Sequence, residues 1–146
     1  MTGDSMRFDV VVVGAGRAGT AAAYRLAEAG ADVALVERAK RPGTKNVTGG
    51  VLYGEVLADL VPEFPEEAPL ERRVVEHNVH LLHDDVDIGL SYRDEALASE
   101  PNYTLFLSEF DRWFVDRATE QGATFLPETT VRDVTQDETG VSVATD

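Results

Sequence analysis

The chain has 146 residues, 27 acidic against 13 basic, a formal net charge of −14 and no cysteine. That length supports one hydrophobic core but is small for an enzyme with separate cofactor and substrate domains. The missing cysteines exclude a disulfide framework, a cysteine zinc site, an iron–sulfur cluster and a thiol nucleophile within these residues, and the acidic balance argues against nucleic acid as a partner.

The opening, MTGDSMRFDVVVVGAG, does not read as a signal peptide, because Asp4 and Asp9 flank the approach and the apolar run is short. Phe8–Val13 is almost wholly apolar and β-branched, which predicts a strand buried on both faces of a parallel sheet. Gly14, Ala15, Gly16, Arg17, Ala18 and Gly19 follow at once, then a helix to about Ala29 with Ala22, Ala23, Leu26 and Ala27 inward. Gly30 supplies its stop, and Val33–Val36 is a second strand ended by Glu37. Ala39–Gly50 reads as a loop, Gly54–Val61 as a short helix packed through Val56, Leu57 and Leu60, and Pro62–Pro69 as a proline-punctuated acidic connection.

Val74–His83 and Val86–Tyr92 read as two strands turning at Asp84 and Asp85, the start of a separate sheet. Tyr103–Leu107 is a further strand. Ser108 then reads as an N-cap with Asp111 as its capping-box partner, opening a helix to Gln121 with Phe110, Trp113, Phe114 and Ala118 on one face. Gly122 ends it, Ala123–Leu126 is the next strand, and Val131–Val134 with Val141–Ala144 form an antiparallel pair. No stretch is long enough to span a bilayer.

Strand, G-x-G-x-x-G turn, helix, strand and acid stand in the order a dinucleotide site requires. Gly14 allows the turn out of the strand. Gly16 lets backbone approach a pyrophosphate, and Gly19 lets the helix pack on the strand. The helix N-terminus attracts the phosphates. Glu37, about 20 residues on, can accept hydrogen bonds from both hydroxyls of an adenosine ribose and would repel a 2′-phosphate, which argues against NADP. The bland alternative is a βαβ unit whose glycines serve packing alone.

Other constellations carry less. His77 and His83 share a strand face but lie roughly 20 Å apart at about 3.3 Å per residue, and His80 points the other way, so no metal site is expected. Trp113 reads as helix core. Glu66 and Glu67 make no acid/base dyad, and no side chain stands out as a required acid, base or nucleophile, so no catalytic residue is assigned. Lys40 and Lys45 are the only lysines and the acids are scattered, a pattern resembling proteins of a high-salt cytoplasm.

From Lys45 to Tyr53, KNVTGGVLY, and again in LSEFDRWFVDRATEQGATF, the chain resembles the N-terminal part of FixC-type flavoproteins of the electron-transfer-flavoprotein:quinone oxidoreductase family, with geranylgeranyl reductases as neighbours in the superfamily. The resemblance implies an α/β, Rossmann-like FAD-binding domain of the glutathione-reductase/p-hydroxybenzoate-hydroxylase type. It implies that residues 1–146 form the N-terminal FAD-binding region, that residues 73–107 begin an inserted antiparallel substrate-domain sheet, and that the protein is truncated at its C-terminus. It implies FAD as cofactor, with Gly14, Ala15, Gly16, Ala18 and Gly19 at the pyrophosphate, Glu37 and Arg38 at the adenosine ribose, and Lys45, Asn46, Thr48, Gly49 and Gly50 toward the ribityl chain or the isoalloxazine. Electron-transfer flavoprotein and quinone are the partners it implies, in a cytoplasmic protein peripheral at the inner membrane face when complete. A geranylgeranyl reductase-like segment, an NAD-binding module and a non-catalytic remnant are the alternatives. One departure is visible: relatives carry an arginine just before the aromatic helix, where this chain has Leu107, Ser108 and Glu109, with Arg112 a little later.

Overall fold

The computed structural model describes residues 5–93 and 102–146. In chain order the elements are β1 (Val10–Val13), α1 (Arg17–Glu28), β2 (Val33–Val36), β3 (Gly49–Leu52), α2 (Gly54–Ala58), α3 (Phe64–Glu67), β4 (Leu70–Arg73), β5 (His77–His83), β6 (Val86–Tyr92), β7 (Tyr103–Phe106), α4 (Leu107–Glu120), β8 (Thr124–Leu126), β9 (Val131–Asp137) and β10 (Gly140–Thr145). They fall into two compact units, one of residues 1–47 with 107–146 and one of Thr48–Phe106.

The first unit is built on a parallel sheet of order β1-β2-β8, with Val10↔Val33 and Ala34↔Thr124 in register. All four residues of β2 are buried, as a central strand covered on both faces requires. β1 departs from the expectation of burial on both faces. Val12 lies under α1, beside Gly19, while Val11 and Val13 on the opposite face are 36% and 58% exposed. Among the described residues β1 pairs only with β2, and within this unit only the α1 side of it is covered.

Small residues let α1 come close to the sheet. Its buried stripe is Thr20, Ala23, Tyr24 and Ala27, whereas Ala22 is exposed and Leu26 half-buried, so the inward face is turned from the expected one. The reason is α4, which packs on the same helix; Gln121, just after α4, donates to the Tyr24 hydroxyl at 3.1 Å. At Gly30 the backbone turns to φ +87°, and the N–H groups of Gly30 and Ala31 reach the carbonyls of Ala27 and Leu26 at 2.8 and 3.0 Å, closing the helix. α4 contributes Phe110, Phe114, Val115 and Ala118 to the core, and Trp113 is half-buried against Phe110 and Phe114.

α4 begins directly from β7, so Ser108 is its second residue and not an N-cap. Asp111 does not serve a capping box either: it is 2% exposed and its carboxylate is taken by Arg17 and Asn46. β9 and β10 pair antiparallel over a longer stretch than expected, turning at Glu138 and Thr139, where Asp137 accepts the Thr139 N–H at 2.7 Å.

In the second unit, β3, β7 and β4 form an antiparallel sheet of order β3-β7-β4. Gly49 and Gly50, expected in a loop, are strand residues opposite Phe106 and Leu105. Leu57, Val61 and Phe64 are buried, but Val56 is 75% exposed, because α2 is only five residues long and presents a single narrow face. The acidic connection contains a helical turn, α3, whose Pro65 sits where no backbone N–H is needed and whose Phe64 meets the Tyr103 ring edge-on at 6.1 Å. β5 and β6 make a hairpin of their own from His77↔Tyr92 to His83↔Val86, and Leu70–Arg73 forms a separate strand ahead of it. Residues 73–106 of the expected stretch thus share their unit with residues 48–72, while Leu107 belongs to the first unit; residues 94–101 lie outside the described residues.

Candidate functional site

The site begins at the end of β1. Gly14 leaves the strand at φ +99° and donates its N–H to the Val36 carbonyl at 2.7 Å, bending the chain over the end of β2. An L side chain rarely adopts that φ. Gly19 is fixed by contact: a Cβ there would stand 2.1 Å from the Gly14 carbonyl oxygen. Gly16 is different. It is the N-cap of α1 with ordinary extended backbone (φ −82°, ψ 174°), and a Cβ on it would meet nothing within 4 Å. No side chain caps α1, its first turn holds no acid, and its first intrahelical bond is Thr20 N–H to Gly16 O at 2.8 Å. The N–H groups of that first turn are therefore available to an anion in front of Gly16.

Glu37 stands beside this turn. One of its carboxylate oxygens accepts the Ala15 N–H at 3.0 Å and the other accepts the Ala39 N–H at 2.8 Å. A carboxylate has about four acceptor positions, so capacity remains for ribose hydroxyls. Ala15 is 2% exposed with its N–H on Glu37, so it braces the turn and does not present a group to a ligand; Ala18 is exposed. A cleft of about 270 Å³ opens here, lined by Val13, Gly14, Val36, Glu37, Arg38, Thr129, Thr130 and Val131. The last three were not legible in the sequence. They arrive because β8 lies beside β2, and the chain leaving β8 is tied to the end of β2 by Thr129 N–H to Glu37 O at 3.0 Å. The parallel strand order was the one signal that could have indicated them.

The loop after Glu37 closes on α4. Gly43, at φ +75°, lies so near that a Cβ would be 2.8 Å from the Ser108 backbone. Asn46 N–H returns to Gly43 O at 2.8 Å, and Asn46 Nδ2 donates to Asp111 Oδ2. Lys45 is exposed, as are Thr48 and Gly49. Thr48, Gly49 and Gly50 belong to the second unit, where the two glycines line a separate hollow of about 360 Å³ with Glu71, Arg72, Thr104, Leu105 and Phe106. The histidines lie elsewhere: His77 stacks on Tyr92 at 5.1 Å and His80 Nδ1 is 2.9 Å from Asp87.

Comparison with known proteins agrees with this geometry. The FAD dependent oxidoreductase family (DAO) matches residues 9–98. Protein FixC of Azorhizobium caulinodans is 47% identical over 144 residues, 96% of this chain and 33% of the relative. The probable electron transfer flavoprotein-quinone oxidoreductase YgcN of Escherichia coli K12 is 41% identical over 123 residues, 84% of this chain and 28% of the relative. The chain thus spans about a third of the length of the curated relatives it matches. Among solved structures, the halogenase PltM in complex with phloroglucinol and FAD superposes with a TM-score of 0.77 at 17% identity, over 95% of this chain and 31% of that one, which shows a shared fold. The α/β fold, the glycine turn, the uncapped helix N-terminus and the acid at the end of β2 fit a dinucleotide, and the family match says which: this chain belongs to the FAD-dependent oxidoreductases, and its cofactor is FAD.

Proposed function

We propose that the complete protein is a FixC-type electron-transfer-flavoprotein:quinone oxidoreductase and that these residues hold the ADP half of its FAD. The supporting observation is the open space in front of Gly16 at the uncapped start of α1, with Glu37 and the cleft alongside. The residues fit the group. Gly14, Gly16, Ala18 and Gly19 carry the backbone around the diphosphate, Glu37 receives the adenosine ribose hydroxyls, and Arg38, Thr129 and Thr130 border the adenosine end. The KNVTGG segment, through Lys45, Asn46, Thr48, Gly49 and Gly50, leads toward the ribityl chain and ring. When bound, FAD supplies the electron-transfer chemistry; the chain binds and orients it.

Electron-transfer flavoprotein as donor and quinone as acceptor follow from the names of the relatives. The Thr48–Phe106 unit, including residues 73–106, reads as the start of the substrate-domain sheet. The charge of −14 with two lysines reads as adaptation to a salt-rich cytoplasm. No helix among the described residues is long and apolar enough to cross a membrane, and a peripheral position at the inner membrane face belongs to the same reading. Titration of the purified chain with FAD, followed by flavin fluorescence, tests the binding step. Saturable quenching that Glu37→Ala weakens is expected. Absence of saturable binding in the unaltered chain overturns the reading.

A further inference from the structure

Arg17 is the first residue of α1, at the helix end that carries partial positive charge, the least favourable place in a helix for a cation. It is nevertheless held there. Arg17 Nη1 donates to Asp111 Oδ1 at 3.1 Å and Oδ2 at 3.4 Å, bridging 94 residues of sequence. The Asp111 side chain is 1% exposed, and Asn46 Nδ2 is its second donor. A carboxylate buried to that degree needs such donors, so the cation and the acid specify each other's positions. Asp111 takes one edge of the guanidinium only. The group has five N–H donors in one plane, the Arg17 side chain is 48% exposed, and among the described residues Asp111 is its only partner. A guanidinium pinned along one edge and open along the other is the arrangement that recognises an oxyanion.

We propose that Arg17 is a diphosphate ligand of the cofactor site, with Asp111 and Asn46 as the positioning residues that aim it. The inference rests on the FAD reading and deepens it: a side-chain cation joins the backbone N–H groups at the phosphates, and the Gly43–Asn46 loop is tied to it through Asp111.

The test compares ADP with adenosine, which lacks phosphate, on the purified 146-residue chain by calorimetry or ligand-observed NMR. Arg17→Met should weaken ADP about tenfold, the lower end of what a charge-assisted hydrogen bond contributes, and leave adenosine unchanged. The salt dependence of ADP affinity should flatten in Arg17→Met and persist in Arg17→Lys, which keeps the charge but loses the fork. Arg17→Met leaves the buried Asp111 with Asn46 but no cation, so Arg17→Met/Asp111→Asn, which removes cation and acid together, is the second variant and should lose the same discrimination. Unchanged ADP affinity in both methionine variants overturns the proposal, as does an equal fall for ADP and adenosine, which marks a merely structural role. If the unaltered chain binds neither ADP nor FAD, the cofactor reading itself fails and takes this proposal with it.

Discussion

Gly16 and Gly19 belong to the same turn, yet the structure assigns them opposite consequences when each is given a methyl group. At Gly16 the new Cβ meets nothing within 4 Å and the backbone is ordinary extended chain. Alanine is a poorer N-cap than glycine, while the loss of unfolded-chain freedom favours it; both effects are below about 1 kcal/mol and opposite in sign. The melting temperature of Gly16→Ala should therefore stay within about 2–4 °C of the unaltered chain. In the proposed placement the methyl would instead stand where the diphosphate approaches, and losing one charge-assisted bond of about 1.5–3 kcal/mol should lower affinity at least about tenfold. At Gly19 the Cβ would lie 2.1 Å from the Gly14 carbonyl oxygen. Backbone must move by about 1 Å to relieve that, an overpacking cost of about 1–3 kcal/mol. Gly19→Ala should melt several degrees lower, at about 2–4 °C per kcal/mol. Thermal melts with and without ADP, alongside FAD fluorescence titrations, separate the two. Wild-type FAD affinity in Gly16→Ala refutes the placement of the diphosphate, and an unfolded Gly16→Ala refutes the reading of its surroundings.

Asn46→Ala leaves the buried Asp111 with Arg17 alone and should cost about 1–3 kcal/mol; trypsin should then cut faster at Arg38, Lys40 and Lys45, an effect read by mass spectrometry. Glu76 accepts hydrogen bonds from Arg93, Ser91 and Asn78, and these, Arg93 foremost, hold its carboxyl below the ordinary 4.5. Because the folded form binds that proton less readily than the unfolded chain, the contribution to stability is present above the ordinary range and is lost as pH falls through the lowered value. An NMR titration should show the low midpoint and its return upward in Arg93→Met. With a net charge of −14, raising KCl from about 0.1 M to about 1 M shortens the screening length from about 10 Å to about 3 Å and should raise the melting temperature; a flat or falling value counts against the salt-adaptation reading. ADP should compete fully with FAD, because the proposed contacts of the glycine turn, Arg17 and Glu37 address the ADP half; a large FAD fraction resistant to saturating ADP would show that the flavin end binds independently.

What was legible in the sequence was whatever local spacing encodes. The Val33–Val36 strand, the Asp84–Asp85 hairpin turn and the glycine stops at Gly30 and Gly122 depend on near neighbours and stand where the pattern puts them. Asp111 was misread because Ser108 and Asp111 do have capping-box spacing; only tertiary structure shows that the carboxylate is claimed by residues 65 and 94 positions away. The exposure of Val11 and Val13 of β1 was not legible because a valine run looks the same whether one face of a strand is covered or both. Glu37 is marked by its motif, but its two backbone bonds, which make it a brace of the glycine turn as well as a candidate ribose ligand, depend on how residues 15 and 39 fold back around it.

The pairing of β2 with β8 has a consequence in time. Ala34 meets Thr124, and Asn46 meets an acid 65 residues later. At about 5–20 residues per second, a ribosome takes several seconds to deliver the second partner after the first. The β5–β6 hairpin, whose pairs are adjacent in sequence, can close within about 10 microseconds of its emergence. The second unit thus has its local structure while the first still lacks a strand, a core helix and the carboxylate that holds Arg17. Nascent chains halted before Asp111 should retain no ADP, and those extended past Leu126 should, which places cofactor loading after translation of this region and not during it.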